Sequence, residues 1–140
     1  SREKARKLQE LILQPQSELP EFRSFLKTEG YELIDENILC EEGKYYFLFK
    51  VRFQKDAVLR KECEDGEAVL YEKYGRLLLQ RRHPVLREYL EFMLETQTQI
   101  ARNLQEGQGE KAMGRLEEVN QEMEDLKKAL SMFDRNDSGV

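Results

Sequence analysis

The apolar residues of this chain follow two different patterns along its length. Up to residue 53 they occur in short runs and in alternation, which is typical of β-strands. From Pro84 onward they recur at alternating steps of four and three residues, which is typical of helices packed in pairs. The pattern therefore predicts a sheet region over residues 1–80 and a helical region over residues 81–140.

The first apolar run, residues 11–13, stands between a charged segment and the sequence Gln14-Pro15-Gln16. A short apolar run that stops at a proline favours a strand buried on both faces, as in a parallel α/β sheet. Ligands of such sheets bind beyond the carboxyl ends of the strands. Gln14 and Gln16 are therefore candidates for substrate contact, and the alternative is that the two amides satisfy loop backbone.

A helix is predicted over residues 19–29, because Pro20 suits a first turn and Gly30 suits the position after a helix. Its predicted apolar face contains Leu19, Phe22, Phe25 and Leu26. The helix would follow the first strand after a short loop, as in half of a crossover unit.

Two further strands are predicted at 31–40 and 45–53, joined by a turn at residues 41–44. The short connection containing Gly43 indicates an antiparallel hairpin. The second of these strands is apolar on both faces over its first half, which is typical of a central strand. The predicted strand order is therefore the opening strand, then 45–53, then 31–40 at the edge.

Residues 54–83 carry a weaker pattern. Residues 54–66 are polar and predict a loop with a helical turn, and the apolar residues at 71–79 form a second patch. This segment is expected to join the sheet region to the helical region.

Two helices are predicted after Pro84, separated by Gly107-Gln108-Gly109. The spacing and the short glycine loop predict an antiparallel coiled-coil hairpin, with each helix roughly 30–35 Å long at about 1.5 Å per residue. The positions expected in the shared seam are Leu86, Leu90, Met93, Gln97, Ile100 and Leu104 in the first helix, and Ala112, Leu116, Val119, Met123, Leu126, Leu130 and Phe133 in the second.

Composition narrows the class of protein. The 140 residues are 36% charged and 39% hydrophobic, with a net charge of −5, which suits a small domain with an extended helical appendage. The acidic excess falls in residues 84–134, so a polyanion is expected to meet the first part of the chain. Two cysteines are too few for a disulfide framework or a zinc site, and no apolar run is long enough to span a membrane; a soluble cytoplasmic protein without a metal is expected.

Catalytic motifs are absent from the sequence: it has no glycine-rich phosphate loop, no paired histidines and no nucleophile elbow. His83, the single histidine, stands before a proline and is expected to be structural. The cations are more suggestive, because several of them could converge and contact phosphates; the alternative is a solvated surface. These candidates are Lys50, Arg52, Lys55, Arg81 and Arg82.

The chain resembles the C-terminal half of the bacterial tRNA (adenine-22-N1)-methyltransferase family. The resemblance rests on residues 11–16 (LILQPQ), residues 27–36 (KTEGYELIDE) with Ile38-Leu39, and residues 42–46 (EGKYY). That family pairs a class I, Rossmann-like S-adenosylmethionine-dependent methyltransferase domain with a coiled-coil hairpin. The resemblance implies an α/β fold: the last three strands of the methyltransferase sheet, including its antiparallel hairpin, followed by the coiled coil.

The resemblance also implies which parts lie elsewhere. The strands that carry the S-adenosylmethionine motifs would lie outside these residues, so no cofactor-binding residue is assigned here and the chain alone is expected to be inactive. The family commonly has asparagine at the position of Gln16, which weakens the assignment of that residue.

Three hypotheses follow. The first is a tRNA methyltransferase that modifies N1 of adenine-22, with tRNA as partner. The second is a non-enzymatic module whose coiled coil binds a protein. The third is self-association through the exposed edge of the first strand, since unpaired strand edges pair readily.

Overall fold

The computed structural model describes residues 9–13, 19–53, 67–107 and 109–134. The chain divides into two compact units, residues 1–85 and 86–140. The first unit contains the sheet, and the second contains two long helices. The domain bounds predicted from the sequence, 1–80 and 81–140, stay a prediction. No helix in the described ranges is long and apolar enough to cross a membrane.

Three strands form the sheet: β1 (Gln9–Leu13), β2 (Tyr31–Glu41) and β3 (Lys44–Phe53). Their order is β1-β3-β2, and β3 is antiparallel to both neighbours. The predicted strand order is confirmed. The predicted burial of β1 on both faces is wrong for this chain, because Ile12 is 64% exposed. Since β1 pairs antiparallel with β3, it also lacks a parallel neighbour among the described strands.

A two-residue turn joins β2 to β3. Glu41 pairs with Lys44, and the turn residues Glu42 and Gly43 have φ values of 51° and 77°. Positive φ at both central positions is typical of the type I′ turn, whose twist matches that of the strands it joins. The predicted hairpin is confirmed, with each strand one residue longer than expected.

One irregularity interrupts the pairing of β2 with β3. Leu33 pairs with Val51 and Asp35 pairs with Lys50, so Ile34 is an extra residue in β2. A bulge of this kind shifts the alternation of side chains by one residue. Leu33 and Glu36 therefore lie on one face of the sheet, and Asp35 lies on the other.

Helix α1 (Leu19–Thr28) covers the face of the sheet that holds Phe47, Phe49 and Val51, each 1% exposed. Phe22 reaches this face, with its ring centroid 5.2 Å from that of Phe49. Gly30 ends the helix at a φ of 83°, as predicted.

The prediction of the apolar face of α1 is wrong at one residue. Phe25 is 53% exposed, whereas Arg23, two residues earlier, is buried. The buried stripe is therefore Leu19, Arg23 and Leu26, and it includes a charge that hydrophobic spacing does not identify.

The next described residues, 67–80, are helical. Helix α2 (Glu67–Leu70) runs into a π-helical turn (Tyr71–Gly75) and then into helix α3 (Arg76–Gln80). Residues 76–83 are called the connector below. The predicted loop at 54–66 lies outside the described residues.

Helices α4 (Pro84–Glu106) and α5 (Glu110–Phe133) form the second unit. The guanidinium of Arg87, near the start of α4, lies 3.5 Å from the carboxylate of Asp134, just after α5, so the two helices are antiparallel as predicted. Every predicted seam position is buried or half-buried. The helical hairpin is therefore confirmed, and each helix is about 35 Å long.

Candidate functional site: the two faces of strand β2

Two adjacent acidic residues of β2, Asp35 and Glu36, hold the connector. Strand alternation sends their side chains to opposite faces of the sheet. Glu36 is 2% exposed and lies on the face covered by α1, whereas the Asp35 side chain is 45% exposed on the other face. The two residues are called the carboxylate pair below.

The Glu36 carboxylate binds at the start of the connector. Its Oε2 accepts a hydrogen bond from the backbone N–H of Leu77 at 3.0 Å, and its Oε1 accepts one from Nε of Arg23 at 3.2 Å. A buried charge is tolerated when it is paired and hydrogen-bonded. Glu36 meets both conditions.

Arg23 extends the same network to the π-helical turn. Its Nη1 donates to the backbone carbonyl oxygens of Glu72 and Lys73, at 2.6 Å and 3.0 Å. Its guanidinium carbon lies 5.3 Å from the ring centroid of Phe49 and 5.9 Å from that of Phe47, within cation–π range. Arg23 thus ties α1, β2, β3 and the π-helical turn together.

Gly75 leaves room for this network. A Cβ at this position would lie 3.0 Å and 3.1 Å from the carboxylate oxygens of Glu36 and 3.1 Å from Nη2 of Arg23. The backbone of Gly75 also has a φ of 102°, an angle that residues with a side chain rarely adopt. Glycine is therefore required here for both space and backbone conformation.

Asp35 binds at the end of the connector. Its Oδ1 pairs with Nη1 of Arg81 and accepts a hydrogen bond from the backbone N–H of Glu36 at 2.9 Å. Lys50 is the β3 partner of Asp35 in the strand register. The hydrogen bond from Arg81 is the main cause that lowers the pKa of Asp35, with smaller contributions from the Glu36 N–H and the Lys50 charge, so the carboxylate stays ionised.

The turn after α3 leads from the connector into α4. Arg82 has a φ of 51°, its N–H donates to Leu79 O, and the N–H of His83 donates to Leu78 O. This pair of bonds is the Schellman motif that ends many helices. Pro84 then begins the next helix, as its missing N–H allows.

His83 caps that next helix. Its Nδ1 accepts a hydrogen bond from the backbone N–H of Val85 at 3.1 Å, and its Nε2 lies 2.7 Å from Oδ1 of Asn37. Because Nδ1 accepts, the ring is neutral and Nε2 carries the proton that it donates to Asn37. Partial burial, with the Arg81 charge second, lowers the pKa of His83 and favours this neutral form. The structural role expected for His83 fits these contacts.

The candidate phosphate-binding residues fall into two groups. In the first, Arg81 forms an ion pair with Asp35, Lys50 is the strand partner of Asp35, and Arg52 lies two residues beyond Lys50 on the same face of β3. Arg82 lies in the turn that follows α3. Lys55 lies outside the described residues, and so do Gln14 and Gln16.

Each cation on this face of the sheet lies near a carboxylate. Besides Asp35, Lys50 faces Glu10 of β1, with Nζ and Oε1 3.8 Å apart. Arg52 pairs with Glu32 in the strand register. These acidic neighbours lie on other strands than Lys50 and Arg52, so the sequence around each cation does not reveal them.

The described residues do not fit S-adenosylmethionine. Cofactor loops of Rossmann-like domains place glycines between a strand and the start of a helix. Gly30 instead ends a helix, Gly43 lies in a hairpin turn, and Gly75 packs on the carboxylate of Glu36. Within the described ranges, no group of three or more His, Cys, Asp or Glu side chains could hold a metal ion.

The fold defines the class of protein. One similar solved structure is the Bacillus subtilis m1A22 tRNA methyltransferase TrmK, with 25% sequence identity and a TM-score of 0.65 over 87% of this chain and 51% of that chain. A protein of the NADB-Rossmann superfamily from Streptococcus agalactiae has 20% identity and a TM-score of 0.60, over 86% of this chain and 47% of its own. A Streptococcus pneumoniae protein in complex with S-adenosyl-L-methionine has 21% identity and a TM-score of 0.53, over 86% of this chain and 47% of its own. The chain thus has the fold of the C-terminal half of a Rossmann-like protein, and it spans about half the length of these structures.

The family can also be stated. The tRNA (adenine(22)-N(1))-methyltransferase family matches residues 1–128, so this chain belongs to that family. None of the curated proteins matches the chain.

Proposed function

We propose that this chain is the C-terminal portion of an S-adenosylmethionine-dependent enzyme that methylates N1 of adenine-22 in tRNA. The observation that carries the proposal is the family match over residues 1–128. The strand order β1-β3-β2 followed by a helical hairpin supports it, because both belong to the resemblance drawn from the sequence. Its partner would be tRNA and its location the cytoplasm.

The cofactor would bind outside these residues. S-adenosylmethionine supplies the methyl group, and the described part of the chain has no loop suited to it. On this proposal residues 1–80 complete the methyltransferase sheet, residues 81–140 form the appended hairpin, and the chain alone is inactive. Its own contribution is to hold the tRNA, since positioning the base against the methyl donor is the main task of such an enzyme.

Two sets of residues are proposed to contact the tRNA. Gln14 and Gln16 follow β1 directly in sequence and would face the substrate at the end of that strand. Lys50 and Arg81, with Arg52, Lys55 and Arg82, would contact phosphates. Lys50 and Arg81 come first among these, because both lie next to Asp35 and are therefore brought to one place on the sheet although they are distant in sequence.

Methyl transfer to tRNA transcripts tests the proposal. The complete product of the gene encoding these residues and residues 1–140 alone are each incubated with methyl-labelled S-adenosylmethionine. The complete product should label a transcript with adenine at position 22 and leave a transcript with guanine there unlabelled. Label on both transcripts or on neither would contradict the proposed specificity, and label transferred by residues 1–140 alone would contradict the proposed inactivity.

The alternative from the sequence, a protein-interaction module built on the hairpin, is tested with the same material. A hairpin that binds a protein while the complete product neither binds nor methylates tRNA would replace the enzyme proposal. The acidic excess of residues 84–134 favours a role for the hairpin other than the main phosphate contact.

Self-association of the chain alone is a separate proposal. β1 is at one end of the described sheet, and Ile12 is 64% exposed. A strand edge in this position can pair with a second copy. Light scattering of residues 1–140 should show a dimer, and charge introduced by Ile12→Lys should return the chain to a monomer. A monomer at high concentration would disprove this pairing.

A further inference from the structure

We propose that Asp35 competes with RNA phosphate for Arg81, so that this carboxylate limits how tightly the face of the sheet opposite α1 binds tRNA. The inference rests on the proposed function, because it takes tRNA as the ligand. It adds a residue that acts against binding, whereas the sequence pointed only to residues that favour it.

Among the described residues that flank Lys50, the charges balance. Lys50 and Arg81 bring two positive charges, and Asp35 and Glu10 bring two negative charges. A phosphate that approaches this neutral group must displace a carboxylate to gain an ion pair. The tightness of phosphate binding therefore depends on which carboxylate is easier to displace.

Asp35 is the firmer competitor of the two. The Glu10 side chain is 77% exposed, and its oxygen lies 3.8 Å from Nζ of Lys50, beyond hydrogen-bond distance. The Asp35 carboxylate pairs directly with Arg81 and is also fixed by the N–H of Glu36. A phosphate can thus displace Glu10 readily, whereas it must compete with Asp35.

The backbone of Arg81 is held in place, so only its side chain can respond. Its N–H donates to Leu77 O at 2.9 Å, and the N–H of Leu77 donates to the buried carboxylate of Glu36. Half of the Arg81 side chain, 52%, is exposed to solvent. A guanidinium binds carboxylate and phosphate oxygens in the same forked geometry, so a phosphate can take over the position of Asp35 without movement of the connector.

The variant Asp35→Asn tests the inference. Asparagine keeps an oxygen that can accept the Glu36 N–H, and it removes the charge that holds Arg81. Binding of a fluorescein-labelled tRNA transcript to residues 1–140 is followed by anisotropy at several salt concentrations. Asp35→Asn should tighten binding about twofold to fivefold, the range that an exposed ion pair is worth. The slope of log affinity against log salt should steepen by about one phosphate contact.

Two control variants separate this effect from a general change in charge. Glu91→Gln removes a carboxylate that lies 3.1 Å from Arg87 on α4, so it produces the same change in net charge at an exposed ion pair in the other compact unit. It should leave affinity within the error of the wild type. The double variant Asp35→Asn with Arg81→Gln should lose the gain.

The outcomes are distinct. Unchanged or weaker binding by Asp35→Asn, or an equal gain in Glu91→Gln, overturns the inference; so does the absence of tRNA binding by both the wild type and Asp35→Asn. Thermal unfolding of each variant shows whether the fold is intact. A gain in Asp35→Asn without methylation by the complete gene product sinks the proposed function alone, and methylation without the gain sinks this inference alone.

Discussion

The guanidinium of Arg23 and the carboxylate of Glu36 form a buried ion pair, with 3.2 Å between Nε and Oε1 and with side chains 6% and 1% exposed. Removing one member of such a pair leaves the other charge buried alone, which costs about 3–5 kcal/mol. Glu36→Ala should therefore lower the free energy of unfolding, measured by urea denaturation, by that amount.

A second ion pair of α1, which joins it to the π-helical turn, provides a control. Lys27 and Glu72 form an exposed ion pair, with 3.4 Å between Nζ and Oε1. Lys27→Ala should cost less than about 1 kcal/mol. The double variant Arg23→Met with Glu36→Leu should recover only part of the loss, because an apolar pair can replace the ion pair but cannot bond the N–H of Leu77 and the carbonyls that Arg23 binds. Equal effects of Glu36→Ala and Lys27→Ala would contradict the role assigned to the buried pair.

Two glycines should respond to alanine with opposite signs. At Gly75 the new Cβ would contact the Glu36 carboxylate at a φ of 102°, so Gly75→Ala should destabilise the chain by about 1–3 kcal/mol. Gly114 lies within α5, and a Cβ added to it would have no other atom within 4 Å. Because alanine favours the helix more than glycine does, Gly114→Ala should stabilise the chain by about 0.5–1 kcal/mol. Thermal unfolding of the two variants measures both signs, and a shared sign would refute the argument.

His83 should make stability depend on pH below neutrality. Burial lowers the pKa of His83 in the folded chain below its ordinary value of 6.5, so the unfolded chain takes up a proton first. The stabilisation is therefore complete above about pH 6.5 and is lost as the pH falls toward the folded pKa. Urea denaturation from pH 7.5 to 5 should show this decline, and NMR of the single histidine should report the lowered pKa.

The variant His83→Asn provides the comparison. Asparagine is a good residue at the start of a helix and has no charge to gain. The decline between pH 7.5 and 5 should flatten in this variant. The Asp35 carboxylate acts in a lower range, because its lowered pKa affects stability only as the pH falls below about 3.8. An unchanged decline in His83→Asn would assign the pH dependence to other groups.

The seam of the helical hairpin is the fourth test. Leu126 is 1% exposed, whereas its neighbour Lys127 is exposed. Leu126→Ala should cost about 2–5 kcal/mol through the lost contacts and the cavity, and Lys127→Ala should change stability by less than about 0.5 kcal/mol. Urea denaturation followed by helical circular dichroism measures both, and a similar loss in the two variants would argue against the assigned seam.

Local signals in the sequence predicted the parts of the fold that are themselves local. The turn at Gly43, the helix stop at Gly30 and the spacing of the two long helices each depend on residues close together in the chain. The strand order followed from the apolar residues on both faces of the first half of 45–53, which indicated a central strand. These predictions are confirmed.

The interactions at the candidate site were less accessible to sequence reasoning. Arg23 reads as a solvated charge, and its burial depends on Glu36 and on carbonyl groups about fifty residues away. The bulge at Ile34 changes the face on which Asp35 lies, and nothing in the sequence marks it. The expected burial of Phe25 is wrong because the buried stripe of α1 contains Arg23, a charge that apolar spacing does not place there.

The position of β3 between its neighbours also predicts the order in which the strands pair during folding. β2 and β3 are joined by a two-residue turn and can pair within microseconds, as hairpins do. β1 has to find β3 across α1 and the whole of β2, and closing a longer loop is slower. The hairpin should thus form first and β1 should add last, so during refolding the amide protons of Gln9–Leu13 should become protected from exchange later than those in the middle of β3.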